Sequence, residues 1–253
     1  MLNRDEIIEF LRNYSEPKEY VNAMWLEGAD GINKVDKYSD IDFWFDVNKE
    51  HQESFLYECI EELSKLGEID SKVESIRREI AQSNIHLSNT SKYLTLDICV
   101  QSHEIRGKES TSFVKNDIAE LPLVIFDKKN IIYYKEEKLD IDEIKEVFDD
   151  CKNRIKQSSR VEKYIKRNMY LEAYMKYIDN IASPIVSLAR LVYTPNHIGY
   201  ELCHISDHLP SNEVKKLEKF YKVSNFADIA DNIKYAQKLL EFYEKKIREK
   251  YNI

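Results

Sequence analysis

The sequence predicts an α+β protein, with an N-terminal mixed sheet carrying helices and an all-helical bundle after it. Strand-type alternation recurs between helical stretches as far as residue 134, and from Asp140 onward the apolar spacing turns helical and stays so. Glycine and proline number only 5 each in 253 residues. That is roughly a third of ordinary glycine usage, which disfavours a turn-rich all-β fold. The chain amounts to about 1.7 typical domain lengths, and the change of period divides it into residues 1–138 and 139–253.

The elements follow from local pattern. Ile7, Ile8, Leu11 and Tyr14 fall at helical spacing, so a helix is expected over 4–14, with Asn3 as its N-cap and Glu6 placed for a capping box. A strand through Met24, Trp25 and Leu26 runs into Gly28 and Gly31. In residues 38–47, Ile41, Phe43, Phe45 and Val47 share one face while Asp40, Asp42, Trp44 and Asp46 share the other, which predicts a strand with an acidic outer face. A helix over 52–66 is expected to close at Gly67 in a left-handed cap. Residues 84–101 read as a hairpin turning through Ser88-Asn89-Thr90-Ser91, with Asp97 on the polar face of its second strand. Residues 121–134 read as a further strand pair turning at Asp127-Lys128-Lys129-Asn130. Beyond Asp140 the expected helices carry Ile141 to Cys151, Val161 to Ile178, and Ile185 to Val192 opened by Ser183-Pro184. Another starts at Ser211, and a long one fills 227–250.

Composition narrows the function. A hydrophobic fraction of 43% with 17 Tyr and 10 Phe excludes an intrinsically disordered chain. The longest apolar runs, such as residues 121–126, are far too short to span a membrane. Asp5 and Glu6 stand where a secretory signal would be basic and then apolar, so a cytoplasmic location is the expectation. A net charge of −8 argues against long nucleic acid as a partner. Cys59, Cys99, Cys151 and Cys203, widely spaced with no C-x-x-C, read as reduced core thiols.

Chemistry points to one region. Glycine lets backbone approach a phosphate closely, and Gly28 and Gly31 precede Asp40 and Asp42 by about ten residues. Two carboxylates at i, i+2 on a strand project together, about 7 Å apart. They suit Mg²⁺, which takes a few carboxylates and completes its octahedron with phosphate oxygens and water. Asp97 on a neighbouring strand would complete a two-metal clamp. Asp46 reads as a solvated strand end, Trp44 as a partly buried lid on the sheet, and Lys34 and Lys37 as solvated loop lysines within reach of a triphosphate. His204 and His208 at i, i+4, with His197 and Asp207 nearby, lack the fourth ligand of a zinc site and read as a helix-end or interface group. Arg190, on an otherwise apolar helix, is a candidate either for phosphate or base contact or for an internal salt bridge. There is no P-loop and no dinucleotide-type glycine motif.

Gly28-Ala29, then Asp40-Ile41-Asp42, then Leu96-Asp97-Ile98 resembles the nucleotidyltransferase superfamily. In length, in the string Tyr38-Ser39-Asp40-Ile41-Asp42 and in its C-terminal helices, the chain looks like the small lincosamide and aminoglycoside nucleotidyltransferases of antibiotic resistance. The resemblance covers essentially the whole chain, strongest over 24–47 and 94–103 and weaker over 192–210. It implies a catalytic domain over 1–138 and a helical substrate-binding domain over 139–253, with the nucleotide in a cleft between them. Asp40, Asp42 and Asp97 would be ligands of two Mg²⁺ ions, Asp97 also the catalytic residue serving the acceptor hydroxyl, and Gly28 with the Ala29 N–H the holder of the β- and γ-phosphates. The implied co-substrate is an NTP, taken as ATP, and the acceptor a small hydroxyl-bearing molecule, with AMP transferred and pyrophosphate released. Ala29 departs from the family's preferred Ser or Gly, which removes a hydroxyl able to bond phosphate. Two alternatives stay open: a non-catalytic module binding nucleotide or a partner, and an antitoxin-type enzyme whose acceptor is a protein. Acceptor identity, the preferred base and oligomeric state are open as well.

Overall fold

The computed structural model describes residues 2–77 and 79–253. The chain forms two compact units, Met1–Glu137 and Lys138–Ile253. The first contains α1 (Arg4–Ser15), β1 (Val21–Leu26), α2 (Gly28–Gly31), β2 (Ile41–Val47), α3 (Gln52–Ser64), β3 (Ile69–Ile76), β4 (Ile80–Leu87), β5 (Thr95–Gln101), α4 (His103–Arg106), β6 (Ser112–Val114), β7 (Leu123–Asp127) and β8 (Tyr133–Lys135). Six strands form one sheet in the order β3-β4-β5-β2-β1-β7. Only the central β2–β5 pair is parallel, and its register sets Ile41 beside Leu96 and Asp42 beside Asp97.

Alternation in β2 and β5 decides which face is buried. Phe43, Phe45, Leu96 and Ile98 turn towards α1 and α3, where they meet Ile7, Leu11, Phe55, Leu56 and Cys59 in one core. The opposite face carries Trp25 stacked on Trp44, with ring centroids 5.9 Å apart, and Phe113, Ile131 and Ile132 close over them. The α1 capping box forms as expected, with the Asn3 side chain accepting from the Glu6 N–H and the Glu6 carboxylate accepting from the Asn3 N–H.

Several local expectations are corrected. Asp127 does turn the chain, its carboxylate accepting the Ile131 and Ile132 N–H groups at 3.1 and 2.9 Å. The two flanking segments nevertheless do not pair. β7 adds to β1 at the sheet edge, whereas β8 pairs in parallel with β6 in a separate two-stranded sheet, because Ile131 and Ile132 are drawn over the tryptophan pair. Gly67 takes no left-handed cap conformation; among the described glycines only Gly28 and Gly107 have positive φ. Its missing Cβ instead leaves room for the Asn89 side chain, which would lie 2.2 Å from it and which donates to the Leu66 carbonyl at 2.9 Å. β3 carries no apolar alternation strong enough to announce it, as an edge strand with mostly exposed side chains need not.

The second unit is helical throughout: α5 (Ile141–Lys156), α6 (Ser159–Lys166), α7 (Tyr170–Tyr177), α8 (Ser183–Tyr193), α9 (Ile205–His208), α10 (Ser211–Tyr221) and α11 (Phe226–Tyr251). Ile144, Phe148, Ile185, Leu188, Phe220 and Leu240 lie in its core. The single helix expected through Val161 and Ile178 is broken at Asn168, whose φ of 55° is a left-handed stop. α7 then runs into α8 through a π turn over Ile178–Ala182. Pro184 cannot donate to the carbonyl four residues back, and a widened turn absorbs that defect.

Among the described residues Arg190 forms no salt bridge; backbone carbonyls and a hydroxyl take up its guanidinium instead. It is fully buried and donates to the Glu201 and Cys203 carbonyls at 2.6 Å each and to the Thr194 hydroxyl at 3.2 Å. It therefore fixes the irregular segment after α8, where Glu201 and His204 both adopt positive φ. The His208 Nδ1 lies 3.4 Å from the Arg190 guanidinium, and the rings of His197 and His204 lie 5.8 and 5.7 Å from that of His208. Cys59, Cys99 and Cys151 are buried as expected, but Cys203 is exposed because its carbonyl rather than its side chain is what Arg190 holds.

Candidate active site

The sequence-derived residues Gly28, Ala29, Asp42 and Asp97 converge at one end of the polar sheet face, with Asp40 at its rim. β1 ends at Leu26, and Gly28 follows at a φ of +58°. A Cβ built on Gly28 would lie 2.0 Å from an Asp42 carboxylate oxygen, so only glycine lets this turn rest against β2. Ala29 lies in the same turn, α2, whose opening N–H groups have no carbonyl four residues back within the helix. Gly31 is equally constrained: a Cβ there would strike the Leu121 carbonyl oxygen.

Asp42 and Asp97 are register partners on adjacent parallel strands, side by side at the strand spacing of about 4.8 Å. Asp40, exposed just ahead of β2, adds its charge to both. Burial first, then the charges of Asp40 and Asp97, push the Asp42 carboxyl up to about 6. Burial likewise raises Asp97, against a Gln82 hydrogen bond that lowers it. Among the described residues the Asp42 carboxylate has no hydrogen-bond donor, and the Arg4 charge eases its position only in part. Asp97 differs: the Gln82 Nε2 lies 2.9 Å from each of its oxygens, and the Cys99 Sγ lies 3.9 Å from one.

Three participants carry no motif. Arg4, on α1, forms an ion pair with Asp30 in the glycine turn and donates to the Ser39 and Asp40 carbonyls at 3.3 and 2.6 Å. It thereby ties the turn to the loop that delivers Asp40. Glu27 accepts from the Trp25 indole at 2.8 Å and donates its N–H to the Asp42 carbonyl. Burial pushes its carboxyl up to about 7, with Glu120 and Asp42 adding repulsion. Gln82 is the third. The only sequence signal for Arg4 and Glu27 is adjacency to the helix start and the glycine turn, and Gln82 has none. Lys34 and Lys37 are exposed, and the Lys37 Nζ lies over the Tyr38 ring.

The other end of the polar face corrects an expectation. Asp46 is no solvated strand end but is fully buried. It accepts from Asn22 at 2.8 Å and from the His103 N–H and Nδ1 at 2.7 Å each. Trp44 between the two ends is half-buried on Trp25, as expected of a lid.

The donor set fits magnesium. Carboxylate oxygens are its preferred protein ligands, and the raised carboxyls of Asp42 and Asp97 mark charge that a cation would relieve. Among the described residues no three His, Cys, Asp or Glu side chains converge tightly enough to enclose an ion alone. Magnesium bound to a triphosphate takes one or two carboxylates and completes its shell with phosphate and water. No helix among the described residues is long and apolar enough to cross a membrane.

No protein-family model and no curated protein sequence matches the chain. By fold it is similar to an aminoglycoside 6-adenyltransferase from Bacillus subtilis, with TM-score 0.42 and 16% identity over 98% of this chain and 91% of that one. It is also similar to the GLD-2/RNP-8 complex, with TM-score 0.32 and 11% identity over 88% of this chain and 65% of that one. A third likeness is to a spectinomycin adenyltransferase from Enterococcus faecialis solved with ATP and spectinomycin, with TM-score 0.31 and 10% identity over 94% of this chain and 100% of that one.

Proposed function

We propose that the chain is a magnesium-dependent nucleotidyltransferase that transfers AMP from ATP to a hydroxyl of a small molecule such as an aminoglycoside or lincosamide. The observation that carries the reading is the glycine turn pressed against Asp42, itself beside Asp97, with no donor among the described residues satisfying Asp42. A carboxylate left half-buried and unpartnered costs stability, and a fold keeps such a group where it binds something.

Two magnesium ions would be held here, both by Asp40 and Asp42 and the one beside the acceptor hydroxyl by Asp97 as well; when bound they neutralise triphosphate charge and strengthen the α-phosphorus as an electrophile. The Gly28 turn and the Ala29 N–H cradle the β- and γ-phosphates, since backbone amides bind phosphate whatever side chain sits at 29. Asp97 takes the proton of the acceptor hydroxyl. The hydroxyl oxygen then bonds to the α-phosphorus, the bond from that phosphorus to the bridging oxygen breaks, and pyrophosphate leaves with the electron pair. We assign nucleotide and chemistry to the sheet-bearing unit and acceptor recognition to the helical one. A cytoplasmic setting is part of the same reading.

The test is pyrophosphate release with Mg²⁺ and ATP across a panel of aminoglycosides, lincosamides and proteins. Release with at least one small acceptor, abolished in Asp97→Ala while that variant still binds Mg²⁺-ATP by calorimetry, is the expected result. No binding of Mg²⁺-ATP at millimolar concentration by the wild type overturns it.

A further inference from the structure

Asp42 and Asp97 are neighbours of the same type on one face, yet among the described residues only Asp97 is tethered by a hydrogen bond. The tether comes from β4, whose register places Gln82 opposite Cys99 and Asn84 opposite Asp97. Gln82 therefore reaches diagonally past its own partner to Asp97. Its Nε2 lies 2.9 Å from both carboxylate oxygens, and a nitrogen equidistant from the two occupies the side between them. That side is where a cation sits when a carboxylate grips it with both oxygens.

We propose that Gln82 is a positioning residue for metal selectivity: by filling the chelating side of Asp97 it limits that carboxylate to one-oxygen coordination, favouring Mg²⁺ over Ca²⁺. The two ions differ in this respect. Ca²⁺ takes six to eight oxygens and readily uses a carboxylate with both, whereas Mg²⁺ demands a near-ideal octahedron and keeps several waters. A carboxylate confined to one oxygen therefore penalises Ca²⁺ more. The inference rests on the assignment of Asp97 to the metal.

The experiment is calorimetric titration of Mg²⁺ and of Ca²⁺ into the full chain with a non-hydrolysable ATP analogue, for the wild type, Gln82→Met and Gln82→Ala. Methionine keeps the side-chain length without a donor, and Gln82 is only half-buried, so both substitutions leave the sheet core intact; circular dichroism checks this. The wild type is expected to bind Mg²⁺ more tightly than Ca²⁺. In both variants the ratio of Ca²⁺ to Mg²⁺ affinity is expected to rise about tenfold, the equivalent of one competing hydrogen bond. An unchanged or falling ratio in folded variants overturns the proposal, as does a wild type that prefers Ca²⁺. A wild type that binds neither cation with the nucleotide overturns the nucleotidyltransferase reading itself, which is a different result.

Discussion

Asp42 and Asp46 project from the same face of one strand, four residues apart, and have opposite fates. Asp46 is buried and takes three donors, from Asn22 and twice from His103, which lock the start of α4 to the middle of the sheet. Asp42 is half-buried, has no donor among the described residues, and faces the charges of Asp40, Asp97 and Asp30. A carboxylate that the fold satisfies is part of its structure, and one that the fold leaves unsatisfied is available to a ligand. Residue type and spacing do not distinguish them. Their partners do.

The sharpest way to break the comparison is at its structural end. Asp46→Ala removes a fully buried carboxyl group and strands the Asn22 amide and both His103 donors. Breaking one side of such a network costs about 3–5 kcal/mol, or on the order of 10 °C in a chain of this size. Thermal unfolding followed by circular dichroism measures it. A loss within a degree or two would mean that Asp46 is as unsatisfied in solution as Asp42.

The functional end should respond the opposite way. Asp42→Asn is expected to lower turnover at least about a hundredfold, equivalent to about 2.7 kcal/mol, because one negative charge needed to position the metal is gone. Its fold should remain, since the side chain faces away from the α1/α3 core. Pyrophosphate release with an identified acceptor reads the first, and the unfolding midpoint reads the second. Near wild-type turnover would remove Asp42 from the site.

The contrast also explains what the sequence could disclose. Alternation in 41–47 places Asp42 and Asp46 on one face, and glycine spacing singles out the Asp42 end, because period and backbone freedom are local properties. The donors to Asp46 come from Asn22 and His103, residues 24 and 57 positions away, and no local pattern encodes such a meeting. Gln82 reaches Asp97 across a strand pair for the same reason. The segment 121–134 makes the same point: its turn at Asp127 is local and legible, but the destination of Ile131 and Ile132 is the tryptophan pair on a distant strand face. Asn168, by contrast, was a readable helix stop that helical spacing on either side concealed.

The smallest expected effect is a pH dependence of stability that the Asp42 end alone should show. Burial and neighbouring carboxylates push Asp42 up to about 6 and Glu27 up to about 7, whereas unfolded carboxyls titrate near 4. The folded chain therefore binds these protons more tightly than the unfolded chain does. Their contribution is full below about pH 4 and is lost as pH rises through about 6 for Asp42 and about 7 for Glu27. Asp42→Asn cannot lose a proton, so its midpoint should overtake that of the wild type as pH rises from 4 to 7, the gap levelling off above. Discounted for the partial exposure of Asp42, the gain is about 1 kcal/mol, or roughly 2–4 °C. Thermal unfolding of both proteins across that range, without divalent ions, measures the difference. Saturating Mg²⁺-ATP should reverse the order, because bound cation stabilises the wild type by mass action and has less to bind in the variant. A midpoint difference that does not change with pH would mean that Asp42 ionises as an ordinary solvated carboxylate, and the distinction from Asp46 would then lie in burial alone.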